Sequence, residues 1–495
     1  MSFSVNLPLF CVVLSLLCSV ISSVLQGKAA RILTLFLNAA VCLSSVLVLI
    51  YVNRVGDVTY LMGHYPHPWG NELRLGVLEA LFSAVFSAVM FFCVLGGKQQ
   101  LLHDLEPKKS NLYYVMVDLI QAALLVLAYT DDIFTGYVFI EICTIASCGI
   151  LMIRQLGRTT LAAVRYMIFS LIGSGLFLLG VVLLYQLTGH LLMPDLRAAV
   201  AGLWADGGAD VPLTAALALI TVGLAIKSGL FPFHFWMPDT YGAATPSSAG
   251  ILSGLVSKGY LFFLIKIIFD VFGAEVFYAG GVPNILYLFG VLGILVGSFS
   301  AIRENDIFRM TAYSSAAQIG YIYMGLGISA RLGVIAALFH ILTHAVTKPA
   351  LFLSAAQLSD ASGGGKRFKQ LQGAAHRDKL AGAAFAAGAF SMIGLPLTMG
   401  FISKYLFAIS AFHANVKLIP TLIVLAVSTI LNTFYFSRTV IRLYNRPEED
   451  LPCAEKSPVR LSYTVCALCL AAMNFAAGIC AQPLCDLLSK GIDLF

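Results

Sequence analysis

Charged side chains are scarce in this chain of 495 residues, where Asp, Glu, Lys and Arg together make up 11% of the sequence. A soluble domain carries about 25%. Hydrophobic residues make up 59% and the mean hydropathy is +0.88. Such a chain cannot cover itself with polar surface, so lipid must be its solvent. Apolar runs long enough to cross a bilayer recur along its whole length.

Other absences exclude further classes of protein. A basic cluster with interleaved aromatic residues, as nucleic-acid binding requires, is missing, and the net charge of +6 is interpreted as loop Lys and Arg that set the membrane topology. Rossmann glycines and a P-loop are also missing. Cys466, Cys469, Cys480 and Cys485 could be read as a zinc or iron–sulfur set. The first pair lies in an apolar segment without polar support, so we expect no metal and no cofactor.

Fourteen apolar segments can be counted, and most are long enough to span a membrane. The first lacks a basic leader and a small-residue cleavage site, which predicts a retained helix rather than a signal peptide. Loops after odd-numbered segments hold about four times as many Lys and Arg residues as loops after even-numbered segments. Since Lys and Arg concentrate in cytoplasmic loops, this bias predicts a protein of the cytoplasmic membrane with both termini outside the cytoplasm. The segments are 6–24, 31–52, 73–96, 111–130, 132–153, 161–187, 212–234, 246–270, 281–301, 307–328, 332–356, 382–408, 417–440 and 461–482.

Two segments are interrupted, the seventh by Gly229 and Pro232 and the twelfth by Gly394 and Pro396. Proline lacks an N–H and clashes with the carbonyl four residues back, so backbone groups at membrane depth should lose their helical partners. Such groups are tolerated only against protein or water.

The two breaks lie five segments apart, and an odd offset reverses the direction through the membrane. This is typical of inverted repeats with a transport path at the broken helices. We therefore predict an all-α polytopic membrane protein of about fourteen helices. Its expected parts are an N-terminal three-helix segment (1–110), two inverted five-helix repeats built from segments 4–8 (111–270) and 9–13 (281–440), and a C-terminal loop with the last helix (441–495).

Ionisable residues at membrane depth are functional candidates by default. Glu141 lies within the fifth segment, and Lys227 precedes the break in the seventh. A lone buried carboxylate would be protonated or paired, so a Glu141–Lys227 ion pair that opens and closes is a plausible switch. A purely structural hydrogen bond is the alternative for each residue.

Further candidates lie in later segments. Lys258 is too deep in the eighth segment to reach the surface easily, whereas Lys266 should snorkel. His340, His344 and Lys348 recur every fourth residue of the eleventh segment, on one helical stripe. Histidine can relay protons; a structural role or a zinc site are the alternatives, the latter without an adjacent third ligand.

Lys404 follows the break in the twelfth segment and could end the relay at the opposite face, or could be a membrane-end anchor. Weaker candidates are Asp118, expected near a cytoplasmic end; Asp131 and Asp132, expected in an outer loop as solvated or entry-funnel charges; Glu79; and His234.

Three stretches, 230–258, 337–353 and 394–404, resemble the motifs of antiporter-like subunits. These subunits occur in respiratory complex I, in multisubunit Mrp Na⁺/H⁺ antiporters and in energy-converting membrane-bound hydrogenases. The resemblance covers most of the chain. It implies a fourteen-helix fold with a polar axis in mid-membrane. It also implies that Glu141 and Lys227 are the paired residues, that Lys258, His340 and His344 connect them, and that Lys404 is the terminal residue.

The subfamily stays open. The chain ends soon after the fourteenth segment, without the long lateral extension of the largest complex I relative, and its eighth segment looks more like Mrp or hydrogenase-linked members. Glu79 stands where many members have Asp, so it receives no role.

The sequence therefore predicts a membrane subunit of a larger complex that translocates protons, with or without Na⁺. A stand-alone transporter of a small solute is the alternative, because broken helices suit it equally well. It should add recognition groups around the breaks, where the sequence shows mainly proton-relay chemistry. The chain is not expected to be catalytic alone; if electrons move, they move in a partner.

Overall fold

The computed structural model describes residues 3–65, 70–98, 101, 105–106, 109–445 and 461–492. Within them, the chain is a bundle of long helices. The helices of the first half are α1 (Phe3–Val24), α2 (Gly27–Val55), α3 (Val77–Gly96), α4 (Ser110–Tyr129), α5 (Ile133–Met152), α6 (Gly157–Thr188), α7 (Met193–Ala205), α8 (Asp210–Ser228), α9 (Trp236–Ala243), α10 (Pro246–Ile251), α11 (Ser257–Ile267) and α12 (Gly273–Ala279).

The second half continues with helices of the same kind. They are α13 (Val282–Arg303), α14 (Ile307–Gly327), α15 (Arg331–Asp360), α16 (Ala374–Arg377), α17 (Lys379–Ile393), α18 (Met399–Phe412), α19 (Leu418–Tyr444), α20 (Leu461–Ile479) and α21 (Ala481–Ile492).

Eleven helical spans in the described part of the chain are long and apolar enough to cross a membrane. This confirms a polytopic all-α membrane protein. The count of fourteen is not confirmed, although each of the fourteen predicted segments is largely helical. The eighth segment is divided by two π turns, Leu252–Val256 and Ile268–Phe272, and the twelfth by its break.

A β-hairpin between α2 and α3 was not predicted. Its strands, β1 (Val58–Leu61) and β2 (Glu72–Leu75), are antiparallel. The prediction that the third helix begins at residue 73 is therefore wrong, because residues 73–75 are paired in a strand and α3 begins at Val77. Isolated bridges join Leu73 to Thr130 and Asp132 to Leu192. The loops that follow α2, α4 and α6 therefore meet on one side of the bundle, which we call the hairpin face.

The two breaks share one local geometry. Gly229 and Gly394 end α8 and α17 with φ of 84° and 92°, a left-handed conformation that favours glycine. After each glycine, the amide of the next residue donates to a carbonyl five residues earlier in the chain. The Leu230 amide donates to the carbonyl of Ala225 at 2.9 Å, and the Leu395 amide donates to that of Phe390 at 3.0 Å. Each helix thus stops at its glycine, before Pro232 and Pro396, and the prolines keep the chain from resuming that helix.

Helix α15 lies at the centre of the bundle. Every residue from Gly333 to Ser359 is buried, and α14, α17, α18 and α20 pack around it. A helix buried on all sides places each of its polar side chains inside the protein. The predicted stripe of two histidines and a lysine therefore lies in the interior rather than against lipid.

Candidate functional site

Glu141 and Lys227 face each other, as the sequence predicts. The Lys227 Nζ lies 3.3 Å from the Glu141 Oε1, and it donates to Thr144, one turn further along α5, at 2.8 Å. The hydroxyl of Ser174 on α6 also bonds to Glu141. The lysine side chain is fully buried, whereas the glutamate side chain is 24% exposed. The pair therefore lies at the edge of the chain, with its cation inside and its anion towards the outside.

Paired glycines bring this cation to its partner. A Cβ at Gly173 on α6 would meet the carbonyl of Gly223 on α8 at 2.7 Å, and a Cβ at Gly223 would meet the carbonyl of Gly173 at 2.6 Å. Small residues facing one another let two membrane helices approach closely. The approach sets Lys227, one turn further along α8, against the Glu141 region of α5.

Lys258 is fully buried in α11. Its Nζ donates to the carbonyl of Ser253 at 2.8 Å and to the hydroxyl of Ser257 at 3.0 Å. Ser253 lies in the π turn Leu252–Val256. A π turn disturbs the regular hydrogen bonds of a helix and often marks a functional position. Here it leaves a carbonyl pointing at a buried ammonium group.

Serines and a backbone carbonyl join the surroundings of Lys258 to Lys348. The hydroxyls of Ser253 and Ser315 lie 3.0 Å apart, and Ser315 donates to the carbonyl of Thr311 at 3.0 Å. Lys348 donates to the same carbonyl at 3.0 Å. A hydrogen-bonded route thus runs from α11 through α14 to α15.

The two histidines of α15 are buried and incompletely hydrogen-bonded. The ring centroids of His340 and His344 lie 6.4 Å apart. The Nδ1 of His340 lies 2.5 Å from the hydroxyl of Ser403, whereas its Nε2 and both ring nitrogens of His344 have no hydrogen-bond partner among the described residues. Buried polar groups of this kind ordinarily bind ordered water. The rings can therefore exchange protons with water held between the helices.

Lys404 ends the series beside the second break. Its Nζ donates to the carbonyl of Ile393, the last residue of α17, at 2.7 Å and to Thr429 at 3.0 Å. The aromatic ring of Tyr321 lies 5.9 Å from the same Nζ. The residue is half-buried. Since Ser403, its neighbour in the chain, bonds to His340, the series continues from α15 into α18.

One step in the series has no direct hydrogen bond within the described residues. Around Lys227 the bonds reach Thr144, whose hydroxyl lies 3.5 Å from that of Tyr260, and no described bond continues from there to Lys258. A water molecule can bridge polar groups separated in this way. The arrangement can hold and pass protons, but only through water at this position.

The prediction for Lys266 is wrong, and of the two roles predicted for Asp131 the solvated one is wrong. Lys266 does not snorkel; it is buried, and its Nζ donates to the carbonyls of Ala128 and Thr130 at 3.1 and 2.8 Å. Asp131 is not solvated, since it is 3% exposed and lies 3.7 Å from that Nζ. The Oε1 of Glu79 lies 3.6 Å from the same Nζ. The end of α4 supplies two carbonyls at this depth, so a lysine can stay inside.

The remaining weak candidates are also placed. Asp118 is fully buried and accepts a hydrogen bond from Ser22 at 3.0 Å. Asp132 is the N-cap of α5 and accepts from the amide of Thr135 at 2.5 Å, a structural role. His234 is buried beyond the first break, and its Nδ1 has no hydrogen-bond partner among the described residues.

Sequence reasoning missed the hydroxyl-bearing residues that contact the ionisable groups. Serine and threonine are common in membrane helices, where they usually bond to their own backbone. The residues in question give no stronger signal than many others of their type, so the structure was needed to find them. They are Thr144, Ser174, Ser253, Ser257, Ser314, Ser403 and Thr429.

The structure combines a bundle of membrane-spanning helices, two breaks that each follow a glycine cap, and buried lysines, histidines and a glutamate. These features define a class of membrane subunits in which ionisable residues form an axis inside the membrane. The family model for the NADH:quinone oxidoreductase/Mrp antiporter transmembrane region matches residues 130–431. The chain belongs to this family, and the predicted resemblance is confirmed.

Particular relatives come from two kinds of complex. The chain is 35% identical to an NADH-quinone oxidoreductase subunit of Desulforudis audaxviator, with 84% of this chain and 80% of that protein covered. It is 25% identical to an Na⁺/H⁺ antiporter subunit of Alkalihalophilus pseudofirmus, over 92% and 89%. In fold it is similar to a chain of the Mrp complex from Dietzia, with a TM-score of 0.88, 24% identity and coverage of 99% and 97%.

Proposed function

We propose that the chain is a proton-translocating subunit of a multisubunit membrane complex. The observation that carries this proposal is the buried ion pair of Glu141 and Lys227 at the end of a broken helix. A buried charge is stable only while it is paired or solvated. When the pair is closed, Lys227 holds its proton; when the pair opens, the unpaired ammonium favours loss of that proton to the next acceptor.

The buried residues beyond this pair supply the acceptors. The proton passes through water to Lys258, then to the His340–His344 stripe and Lys348, and leaves through Lys404. The identical glycine caps at the two breaks support an inverted relation between residues 111–270 and 281–440. In such repeats the path runs past the broken helices.

Other membrane subunits are the expected partners. The Glu141 side chain is partly exposed on the outside of the chain. A carboxylate facing lipid at membrane depth is unfavourable by several kcal/mol. A neighbouring subunit that covers Glu141 removes this penalty and gains control of the ion pair. Movement in the neighbour thereby opens or closes the pair.

The first relatives act in redox-driven and in Na⁺-coupled complexes, and the chemistry of this chain fits either. Both termini are proposed to lie on the non-cytoplasmic side of the cytoplasmic membrane, since Lys and Arg are concentrated in loops on the other side.

The test is ion flux in proteoliposomes that contain the purified parent complex, with ΔpH and ²²Na⁺ followed together, with and without a redox donor. Proton movement coupled to Na⁺ without a donor places the chain in a Na⁺/H⁺ antiporter. Proton movement only during oxidation of a donor places it in a redox-driven pump. Uptake of a small solute by the isolated chain, without proton flux in the complex, contradicts the proposal.

Lys227→Ala should abolish translocation while the complex still assembles. The control is Lys417→Ala, which removes a partly exposed loop lysine that donates to the carbonyl of Gly327 at 2.6 Å, outside the proposed path. Normal flux in Lys227→Ala at normal protein levels removes Lys227 from the path.

A further inference from the structure

A second line of buried polar groups runs through the N-terminal part of the bundle, away from the axis described above. On α4, Asp118, Gln121 and Tyr129 are buried. Asp118 and Gln121 lie three residues apart and therefore on one helical face. Tyr129 ends the helix at the hairpin face, about 12 Å further along.

Helix α2 carries a matching face. Thr34, Asn38 and Ser45 are buried. The Thr34 hydroxyl lies beside the Asp118 carboxyl, and Ser45 lies beside the Tyr129 hydroxyl. The two helices thus meet through polar groups both at the Asp118 end and at the hairpin end, with Asn38 between.

Helix α3 completes the line. Glu79, Ser83 and Ser87 recur every fourth residue, and all three are buried. Ser83 lies beside Tyr129. Ser87 bonds to the carbonyl of Ser83 at 2.6 Å. The line therefore continues at the hairpin face to Glu79, which lies 3.6 Å from the Nζ of Lys266.

Gln121 shows that this line is more than structural packing. The residue is fully buried, and neither its amide oxygen nor its amide nitrogen has a hydrogen-bond partner among the described residues. One carboxyl oxygen of Asp118 and the amide oxygen of Asn38 share this condition. An unpaired buried amide costs about 1–3 kcal/mol, so such groups normally bind water. Several of them in one line would bind a chain of waters.

The hairpin end of the line opens to solvent. A cavity of about 650 Å³ lies on that face, and its lining includes Asp57, Arg74, Asp131 and Asp270. The Asp270 side chain is 7% exposed, and its Oδ2 has no hydrogen-bond partner among the described residues. Since Asp131 both lines the cavity and lies 3.7 Å from the Nζ of Lys266, it connects external water to the buried cluster.

We propose that this line, from Asp118 past Gln121 to the Glu79–Lys266–Asp131 cluster and its acidic cavity, is a second proton path that opens to water at the hairpin face. Asp118 lies in no ion pair among the described residues, and a buried carboxyl without a cation carries its proton. Water held by Gln121 and the neighbouring hydroxyls passes a proton towards Glu79. Glu79 passes its proton on through water to Asp131, Asp131 releases it into the cavity, and Lys266, which lies 3.6 and 3.7 Å from the two carboxylates, balances their charge.

Helix α11 is shared by the second path and the main axis. Lys258 of the main axis and Lys266 of the second line lie on this one helix, about 12 Å apart. The π turns Leu252–Val256 and Ile268–Phe272 flank it. A change of charge at Lys258 that shifts α11 moves Lys266 relative to Glu79. Protons in the second path then move only in step with those in the first.

The experiment counts protons moved per driving event, which is one Na⁺ exchanged or one electron pair transferred, in proteoliposomes of the parent complex. Asp118→Asn and Gln121→Leu should lower this ratio while the rate of driving events stays within about twofold of wild type. Ile120→Val, a buried change on a different face of α4, is the control and should leave the ratio unchanged. An unchanged ratio in both Asp118→Asn and Gln121→Leu overturns the proposal.

A second measurement decides the question when either one of two Asp118 variants assembles. The infrared band of the Asp118 carboxyl is identified in the wild-type complex by its loss in Asp118→Asn or its displacement in Asp118→Glu, and its shift in D₂O is timed. Exchange within seconds is expected for a carboxyl on a water chain; no exchange over hours overturns the path. If the wild-type complex moves no protons, the proposed function fails, and the exchange rate still decides whether the line is hydrated.

Discussion

Replacing Gly394 with alanine should slow proton flux by displacing a side chain of the proposed axis. Gly394 has φ of +92°, and a Cβ there would lie 3.0 Å from the Cδ of Lys404. An alanine in this conformation is destabilised by about 1–2 kcal/mol, and the lysine must move by a few tenths of an ångström. Its hydrogen bond to the carbonyl of Ile393, now 2.7 Å, lengthens.

The magnitude follows from that hydrogen bond. A hydrogen bond from a charged donor contributes about 1.5–3 kcal/mol. We expect the lengthened bond to lose about 1 kcal/mol of this free energy, which corresponds to a rate about fivefold lower. Flux in proteoliposomes, normalised to assembled complex, measures this change. The expected result is a flux about fivefold lower with a melting temperature reduced by a few degrees.

Gly189→Ala separates the two effects. Gly189 ends α6 with φ of +72°, and a Cβ there meets nothing within 4 Å. This variant carries a similar backbone strain without a contact to any relay residue, so it should lose stability alone. Equal flux in the two variants, or wild-type flux in Gly394→Ala, would refute the link between the break and Lys404.

Three further predictions concern separate parts of the molecule. Thr144→Val should reduce flux because it removes the 2.8 Å bond to Lys227, whereas Thr144→Ser should retain it; equal flux in both contradicts this. Arg309→Ala removes half-exposed ion pairs to Asp239 and Glu304 at 2.6 and 3.0 Å, so it should change stability by less than about 1 kcal/mol and leave flux intact. Cys480→Ser removes an exposed thiol and serves as the background for a labelling test of the topology. In that background, an impermeant thiol reagent added to spheroplasts should label His190→Cys but not Gln155→Cys. The reverse labelling pattern would show that the proposed topology is inverted.

Much of the fold could be predicted because lipid imposes a simple rule. Backbone groups in hydrocarbon must be paired within a helix, so an apolar run of sufficient length is a helix. The same rule made the breaks at Gly229 and Gly394 visible. The hairpin escaped prediction because it lies outside the hydrocarbon region, where four-residue strands give little signal.

The candidate site was predictable only in part. Glu141 and Lys227 stand out because charges at membrane depth are rare, and the structure brings them together. Lys266 was misjudged because its stem is long enough to reach the surface; the sequence cannot show that Glu79, Asp131 and the last carbonyls of α4 converge on it. Burial of a charge depends on partners that are distant in the sequence.

The central position of α15 has a consequence for biosynthesis. This helix carries His340, His344 and Lys348, and in the folded protein its spanning window is entirely buried. During synthesis it emerges before α17, α18 and α20, three of the helices that later surround it. A lysine at the centre of a lone helix opposes release into lipid by about 2.5–3.5 kcal/mol. Release of α15 from the insertion machinery should therefore be delayed until later helices arrive, and a ribosome stalled once α15 has left the exit tunnel, but before α17 has done so, should leave α15 cross-linkable to the translocon.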